Sequence, residues 1–354
     1  MLGRRVVATA PVRVADVGGW TDTWFGAPGR VCHLAVGPGV TVEASLVDAD
    51  ASQQATVLVD LPDVGSRYGI SSGAIEPDHP IIDHAIWAVL GDGALPAGLS
   101  ATVRVTAAVP AGASLGTSAS VVVVVIAALD ALVGGTRTPA DVAVLAHQVE
   151  AERAGRESGV QDQWAAAMGG CGLLAIGAYP EARHEPVAVS AAALDELGER
   201  LVTVVFGPHD SSAVHAEVIN AMVGCGGVEH DRARRALRRL ASLAGGAAAA
   251  LAEGDVDRWA EVLTASTEAQ RSLHAGLIGP AHQAAIEVAR SRGAAGWKVN
   301  GAGGDGGSLT IVTGRGPGAT TAAELTAALL AVDPSWRIVD LVPSAVGVTV
   351  RRLD

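Results

Sequence analysis

The stretch "PAGASLGTSAS", residues 110–120, lies between the strand-like run "ATVRVTAAV" (101–109) and the helix-like run "VVVVVIAAL" (121–129). Gly112 and Gly116 carry no Cβ, so the backbone of this loop can approach a ligand closely. The amides of a helix's first turn have no partner within the helix and carry partial positive charge. A strand, a small-residue loop and a helix together therefore suit a bound phosphate. From this segment alone, an ordinary capped turn at a helix start is an equally good interpretation.

The composition bounds the class of protein. The chain has 354 residues, 49% of them hydrophobic, which is enough for two domains or one large one. Its net charge of −12 argues against a nucleic-acid partner, which would require a basic surface. Three cysteines, Cys32, Cys171 and Cys225, have no metal-ligand spacing and fit buried thiols in a reducing compartment. We find no signal peptide, and the longest apolar run (120–135) is too short to span a membrane, so we expect a cytoplasmic protein without a membrane partner.

Hydrophobic periodicity predicts a mixture of strands and helices. Alternating β-branched residues predict strands at 4–16, 36–49, 55–61, 100–109, 200–206, 308–313 and 346–353. Helical periodicity predicts helices at 119–133, 139–157, 213–223, 231–253, 255–274 and 280–292. Because the two types mix without a strict strand–helix–strand alternation, we expect an α+β fold in two domains, 1–190 and 191–354.

Three ordered motifs and one further segment resemble those of the GHMP kinases. The loop at 110–120 is similar to the family's phosphate loop P-x-x-x-G-L-G-S-S-A-S, with Ser114 where the family usually has glycine and Thr117 where it has the first serine. "APVRVADVGGWTDTW" (10–24) resembles the sugar-kinase signature A-P-G-R-V-N-L-I-G-E-H-T-D, and "KVNGAGGDGGSLTIV" (298–312) resembles the third motif K-L-T-G-A-G-G-G-G-C. "VEAERAGRESGVQDQWAAAMGG" (149–170) resembles the segment that carries the catalytic acid. The resemblance implies the two-domain GHMP kinase fold, with a ribosomal protein S5 domain 2-like N-terminal part and a ferredoxin-like C-terminal part.

The resemblance also implies an ATP- and Mg²⁺-dependent phosphotransferase and assigns its machinery. Asp162 and Arg13 are the catalytic pair, and Ser118 and Glu150 are the magnesium ligands, with Glu150 twelve residues before Asp162. The residues implied for the ATP phosphates are Gly112, Ala113, Ser114, Leu115, Gly116, Thr117, Ser118 and Ala119. Hard oxygen donors, few of them from protein, are what Mg²⁺ prefers.

A second set of residues is implied for the substrate. Besides Asp162, these are Gly19, Trp20, Thr21, Asp22, Gly303, Gly304 and His209. A carboxylate such as Asp22 is a strong acceptor for paired sugar hydroxyls. Asp305 departs from the family's run of glycines, and we expect it to point away from the phosphates.

The resemblance narrows the substrate to a small sugar or sugar phosphate. "GGWTDT" (18–23) is similar to the kinase portion of L-fucose kinases, whereas "HPIIDHAI" (79–86) and the later motifs are similar to D-glycero-D-manno-heptose 7-phosphate kinases. Both phosphorylate the anomeric hydroxyl. His209 and Asp210 stand where the heptose kinases have an arginine, so a substrate already bearing phosphate stays open. The arginine-rich stretch 231–239 is better explained as a solvated helix face than as a phosphate partner.

Two other classes stay open beside the kinase: a catalytically silent sugar sensor on the same fold and, less favoured, a GHMP decarboxylase. The presence of Arg13, Ser118, Glu150 and Asp162 argues against a sensor. Lys298 is the only lysine in the chain, and an arginine rather than a lysine at position 13 is typical of the sugar kinases. We expect a monomer or homodimer, and we interpret His33, His84 and His147 as structural residues.

Overall fold

The computed structural model describes residues 4–48, 56–71, 77–91, 95, 98–210, 212–224 and 226–353. Within them the strands are β1 (Arg5–Val17), β2 (Gly29–Asp48), β3 (Thr56–Leu61), β4 (Ser66–Ser71), β5 (Leu99–Ala107), β6 (Cys171–Ile176), β7 (Ala182–Val187), β8 (Leu201–Asp210), β9 (Gly296–Val299), β10 (Asp305–Val312), β11 (Arg337–Val339), β12 (Val342–Pro343) and β13 (Thr349–Leu353). The helices are α1 (Pro80–Leu90), α2 (Thr117–Val133), α3 (Pro139–Gln148), α4 (Gln161–Met168), α5 (Ala191–Arg200), α6 (Ser212–Val223), α7 (Val228–Glu253), α8 (Val256–Leu273), α9 (Pro280–Ser291) and α10 (Ala322–Val332). The expected α+β class is confirmed.

The first sheet is organised around the long strand β2. Among the described residues it has the order β13-β1-β2-β5-β3-β4, and β12, β6 and β7 extend it around β2. Residues 29–34 of β2 pair with β6, and residues 40–48 pair with β5. The sequence predicted only the second half of β2, because the first half lacks regular alternation: its side chains from 31 to 36 are buried on both faces.

Helix α2 lies across this sheet and carries the phosphate loop at its N-terminus. Its valines and leucines from 122 to 132 are almost completely buried in a core shared with β1, β2, β5 and α1. Small β-branched and alanine side chains allow α2 to pack closely, which explains the low aromatic content of the chain. The loop at 110–116 is thereby fixed between a buried strand and a buried helix.

The second sheet has the order β11-β8-β10-β9 among the described residues. Helices α9 and α10 cover one face around Trp297, Trp336 and Ile311. Helices α7 and α8 pack into a separate core that reaches β1 and β2, so the two sheets share their inner helices. The third glycine-rich motif lies between β9 and β10 in this second layer.

The division of the chain at residue 190 stays a prediction. It falls between β7 and α5, just before the second sheet begins. The last strands of the chain do not join the sheet of the expected C-terminal unit. Instead, β12 pairs with β2 and β13 pairs with β1. Residues 342–353 therefore belong to the first sheet, which the sequence did not reveal.

The segment predicted as one helix from 139 to 157 is interrupted. Helix α3 ends at Gln148, and a single π-helical turn, Val149–Arg153, follows it. Such turns are often found at functional sites. This turn buries Glu150.

Among the described residues, no helix combines the length and apolar character that crossing a membrane requires.

Candidate active site

A cavity of about 410 Å³ lies where the loops of the first and the second sheet meet. Its volume is within the size range of ligand pockets. The cavity brings together segments that are far apart in the chain: the first motif, the phosphate loop, the segment after α3, the third motif, and His209 and His215 from β8 and α6. Its wall includes Arg13, Trp20, Asp22, Thr23, Phe25, Gly112, Ala113, Ser114, Leu115, Gly116, Thr117, Ser118, Glu150, Arg156, Glu157, Ser158, Gly159, Gln161, Asp162, His209, His215, Gly301 and Ala302.

The phosphate loop has the backbone that its glycines predict. Gly112 and Gly116 both have φ 73°, in the left-handed region that favours glycine. Ser114 has φ 57°, which explains why a glycine is usual at this position and makes the serine a strained replacement. The hydroxyls of Ser114 and Thr117 are buried without a hydrogen-bond partner in the described protein.

Neighbouring elements hold this loop in place. The Ser308 hydroxyl donates to the Ala113 carbonyl at 2.6 Å, and the His209 N–H donates to the Gly112 carbonyl at 2.9 Å. The Arg13 N–H donates to the Leu115 carbonyl at 3.0 Å. With the carbonyls engaged on one side, the first-turn amides of α2 are left for an anionic ligand.

Arg13 and Asp162 form the charged pair expected of them. The guanidinium donates from Nε to Asp162 Oδ1 at 2.8 Å and from Nη2 to Oδ2 at 3.0 Å, and its Nη1 donates to the Ser114 carbonyl. Arg13 is buried, whereas the Asp162 side chain stays 26% exposed toward the cavity. Burial alone would lower the pKa of Arg13, but the charges of Asp162 and Asp16 outweigh it and raise that pKa above its usual range. Arg13 is thus a permanent cation that orients the carboxylate of Asp162.

A second buried charge pair lies beneath this one. Asp16 Oδ1 is 4.0 Å from both Lys298 Nζ and Arg13 Nη1, and it accepts the Gly301 N–H at 2.8 Å. A bulge in β1, with Ala15 at φ 55°, turns Asp16 inward. Burial favours the neutral acid, but Lys298 and Arg13 outweigh it and hold the pKa of Asp16 below its usual range. The sequence analysis missed Asp16, because a bulge cannot be recognised in an alternating strand pattern.

Ser118 and Glu150 lie together, as the resemblance implies for a magnesium site. The Ser118 hydroxyl donates to Glu150, and Gln163 Nε2 donates to the same carboxylate. Burial, aided by the charge of Asp162, raises the pKa of Glu150 to about 7 despite these hydrogen bonds. Within the described ranges, no three His, Cys, Asp or Glu side chains are placed to hold a metal. A hydroxyl and one carboxylate beside a phosphate loop fit Mg²⁺ that takes its other ligands from phosphate and water.

Asp22 and Trp20 form the opposite part of the wall. Asp22 Oδ2 accepts the Gln161 N–H at 3.0 Å, and burial raises the pKa of Asp22 to about 6, with the charge of Asp162 adding to the effect. Trp20 donates from Nε1 to the Ala302 carbonyl at 3.2 Å and meets His215 edge-on, with ring centroids 4.5 Å apart. A carboxylate beside aromatic edges is a surface that suits a polyhydroxylated ring.

Residues 81–170 match the GHMP kinases N terminal domain. That range contains the phosphate loop, Glu150 and Asp162, the residues that meet in the cavity. This segment, about a quarter of the chain, is similar to the GHMP kinases. A segment of 69 residues is 45% identical to mevalonate kinase of Thermococcus sibiricus, but this match spans only 20% of the chain and 20% of that relative's length.

Solved GHMP kinase structures are similar along the whole chain. A D-glycero-D-manno-heptose 1-phosphate kinase from Bacteriodes thetaiotaomicron superposes with a TM-score of 0.72 at 19% identity and 99% coverage of both chains. Lactococcus lactis galactokinase complexed with galactose gives a TM-score of 0.69 at 16% identity, covering 98% of this chain and 95% of that one. The mevalonate kinase of Methanococcus jannaschii gives 0.68 at 16% identity, covering 96% and 98%. At these identities the similarity establishes the GHMP fold.

Five residues that the resemblance implied lie behind the cavity wall. Ala119 is buried in α2, and the Thr21 hydroxyl donates to the Gly18 carbonyl at 2.7 Å. A Cβ on Gly19 would lie 2.5 Å from Asp16 Oδ2, and one on Gly303 would lie 2.2 Å from the Leu277 carbonyl oxygen. The Gly304 N–H donates to the same carbonyl at 3.0 Å. These residues shape the backbone behind the site, and none of the five lines the cavity.

Of the third motif, Gly301 and Ala302 do line the cavity. Gln270 donates to the carbonyls of both residues at 3.1 Å, which fixes this part of the loop. Asp305 is exposed and does not line the cavity. His209 lines the wall, and its contact with a substrate stays a prediction. Cys225 and the side chain of Asp210 lie outside the described residues.

A set of residues between Glu150 and Asp162 was not predicted from the sequence. Arg156, Glu157, Ser158 and Gly159 line the cavity together with Phe25 and His215. Their position between two predicted site residues was the available signal. Trp24 Nε1 donates to Glu157 Oε2 at 2.8 Å and joins this segment to the first motif. The arginines of 231–239 are exposed on α7 and absent from the wall, consistent with a solvated face.

Proposed function

We propose that this GHMP kinase transfers the γ-phosphoryl group of ATP to a hydroxyl of a small sugar, at the anomeric C1 position. The observation that carries the proposal is the Arg13–Asp162 pair, which opens into the same cavity as the amides of the phosphate loop. Phosphoryl transfer requires positioning and charge neutralisation more than covalent catalysis. The cavity offers both within about 410 Å³.

The proposed roles follow from the contacts. The acceptor oxygen attacks the γ-phosphorus, the bond from that phosphorus to the bridging oxygen of ADP breaks, and the acceptor's proton passes to Asp162. Arg13 holds both oxygens of Asp162 in a fixed fork, so the carboxylate faces the acceptor in one orientation. Ser118 and Glu150 would hold Mg²⁺, which when bound would neutralise part of the charge of the phosphates.

The character of the wall supports a sugar as the acceptor. Asp22, Glu150, Glu157 and Asp162 give the cavity four carboxylates, which accept hydrogen bonds from hydroxyls. A heptose 7-phosphate is the first candidate, because several motifs resemble its kinases. An L-fucose-type sugar is the alternative, favoured by the "GGWTDT" segment.

A catalytically silent sugar sensor is the second candidate function. Such a sensor would share the fold and the sugar-facing wall, but it would not need the paired hydrogen bonds between Arg13 and Asp162. The fork's two hydrogen bonds, at 2.8 and 3.0 Å, favour the enzyme.

A coupled assay of ADP release tests the proposal. The protein is incubated with ATP and Mg²⁺ and, in separate reactions, D-glycero-D-manno-heptose 7-phosphate, L-fucose, D-galactose or mevalonate. We expect ADP release that depends on a sugar, and a product whose ³¹P–¹H NMR couplings locate the new phosphate on C1. ADP release with mevalonate alone would contradict the sugar assignment, and binding of a sugar without any ADP release would favour the sensor.

A further inference from the structure

The cavity contains one arginine that the proposed roles leave unused. Two arginines line the cavity. The guanidinium of Arg13 donates hydrogen bonds to Asp162 and to the Ser114 carbonyl. The other, Arg156, is exposed, and within the described part of the chain its side chain has no hydrogen bond or ion pair. A free guanidinium on an otherwise acidic wall is available for an anionic ligand.

Arg156 lies beside the Ser118–Glu150 pair. Its backbone N–H donates to the Glu150 carbonyl at 2.9 Å. Its charge also acts on the Glu150 carboxylate, where it partly offsets the effect of burial. The guanidinium is therefore close to the point where the phosphate loop meets the proposed metal ligands.

The charge balance of the site calls for a cationic side chain near the phosphates. The triphosphate of ATP bound to one Mg²⁺ keeps net negative charge, and the wall adds four carboxylates. The loop amides and the α2 dipole supply only partial charges. Among the side chains that line the cavity, Arg156 is the cation that remains to offset this repulsion.

We propose that Arg156 binds a phosphoryl group in this cavity, namely the terminal phosphates of the nucleotide beside Ser118 and Glu150. This inference rests on the proposed function, since it names a further ligand of the same site. A planar guanidinium can hold two phosphate oxygens at once, which a lysine cannot do. The same chemistry would also recognise a phosphate carried by the acceptor, so the experiment separates these two sources.

Arg153 provides a matched control. It is an exposed arginine three residues earlier, on the π-helical turn, and it does not line the cavity. Arg156→Ala, Arg156→Lys and Arg153→Ala are compared with the unchanged protein in two measurements. The first is MgADP and non-hydrolysable MgATP-analogue binding by titration calorimetry, and the second is KM for ATP and for each sugar that is turned over.

We expect Arg156→Ala to weaken MgATP-analogue binding and raise KM for ATP roughly ten- to a hundredfold, the range for losing hydrogen bonds to a charged group. The affinity and KM of Arg156→Lys should lie between those of Arg156→Ala and the unchanged protein, because lysine keeps the charge but cannot donate two parallel hydrogen bonds. Arg153→Ala should match the unchanged protein. Because Arg156 is exposed, all variants should fold and melt alike.

Each other outcome is decisive. If only KM for a phosphorylated sugar rises, and nucleotide binding is unchanged, Arg156 binds the acceptor's phosphate and the nucleotide assignment is overturned. If Arg156→Ala equals Arg153→Ala in both measurements, Arg156 binds no phosphoryl group. The binding measurement requires no turnover, so a protein that binds nucleotide through Arg156 but phosphorylates no sugar would refute the proposed function alone.

Discussion

Asp16 and Lys298 come from opposite ends of the chain and form an ion pair that is 1% and 2% exposed, with Oδ1 and Nζ 4.0 Å apart. Lys298 also donates to Gln270 Oε1 at 2.9 Å, and Gln270 holds the Gly301 and Ala302 carbonyls. Because Asp16 also faces Arg13, this pair links Arg13 to the third glycine-rich motif. Burial lowers the pKa of Lys298, and the charge of Asp16 opposes that shift.

Removing one partner of this pair should destabilise the protein strongly. Asp16→Asn leaves Lys298 as a buried charge without its counterion, which costs about 3–5 kcal/mol of unfolding free energy. Lys298→Met should cost less, because Arg13 Nη1, 4.0 Å from Asp16 Oδ1, remains as a partner. The double variant should lose clearly less than the sum of the two single losses. Urea unfolding of the three variants measures this coupling, and strictly additive losses would show that the two side chains do not interact.

The reactivity of Lys298 gives an independent test of the same network. Lys298 is the only lysine in the chain, so an amine-directed reagent that modifies a lysine reports on this residue alone. We expect slow modification of Lys298 in the folded protein, rapid modification in urea, and an intermediate rate in Asp16→Asn. Peptide mass spectrometry measures the rate. Equal rates in the folded and unfolded protein would mean that Lys298 is not buried.

Ser114 should be a strained residue whose replacement by glycine is favourable. At φ 57° an alanine retains the steric cost of the left-handed region and a glycine does not, so Ser114→Gly should be more stable than Ser114→Ala by about 1 kcal/mol. At Ser242, exposed in the middle of α7, the order should reverse by about 1 kcal/mol. Thermal unfolding compares the two pairs, and the same order at both positions would contradict a left-handed Ser114.

The sequence predicted the parts of the site that local patterns encode. Gly112 and Gly116, the strand before them and α2 after them are contiguous, so a loop suited to phosphate could be predicted, although the family resemblance was needed to prefer it over an ordinary capped turn. Arg13 and Asp162 could be paired only through the family resemblance, because their contact depends on tertiary packing. Asp16 was missed because its direction depends on a bulge in β1, and Arg156 because an exposed arginine in a polar segment resembles any surface residue.

The fold shows the same difference between features that local sequence patterns encode and features that depend on tertiary packing. Long periodic elements such as α7 and α8 were predicted within a few residues. Elements of short or irregular pattern were missed, among them α1, α4, α5 and the β6–β7 hairpin. The return of β13 to β1 is a long-range pairing that no local pattern encodes.

Asp22 should make acceptor binding depend on pH. Burial, with the charge of Asp162 adding to it, raises the pKa of Asp22 to about 6, so the carboxylate is protonated below that pH and loses acceptor capacity for sugar hydroxyls. KM for the sugar should therefore rise as the pH falls through about 6. In Asp22→Asn, KM should lack this step and stay near the low-pH value of the unchanged protein at every pH. A step of the same size in both proteins would assign the titration to another group.

The most direct test of the account is the Asp162→Asn variant, because this carboxylate is proposed to receive the acceptor's proton while Arg13 holds it in place. Sugar-dependent ADP formation is measured beside MgATP-analogue binding in the same preparations. The account predicts that kcat falls about a thousandfold, within the range for loss of a general base, while the nucleotide Kd stays within about twofold. Turnover within a fewfold of the unchanged protein would contradict the assignment of Asp162 and, with it, the proposed mechanism.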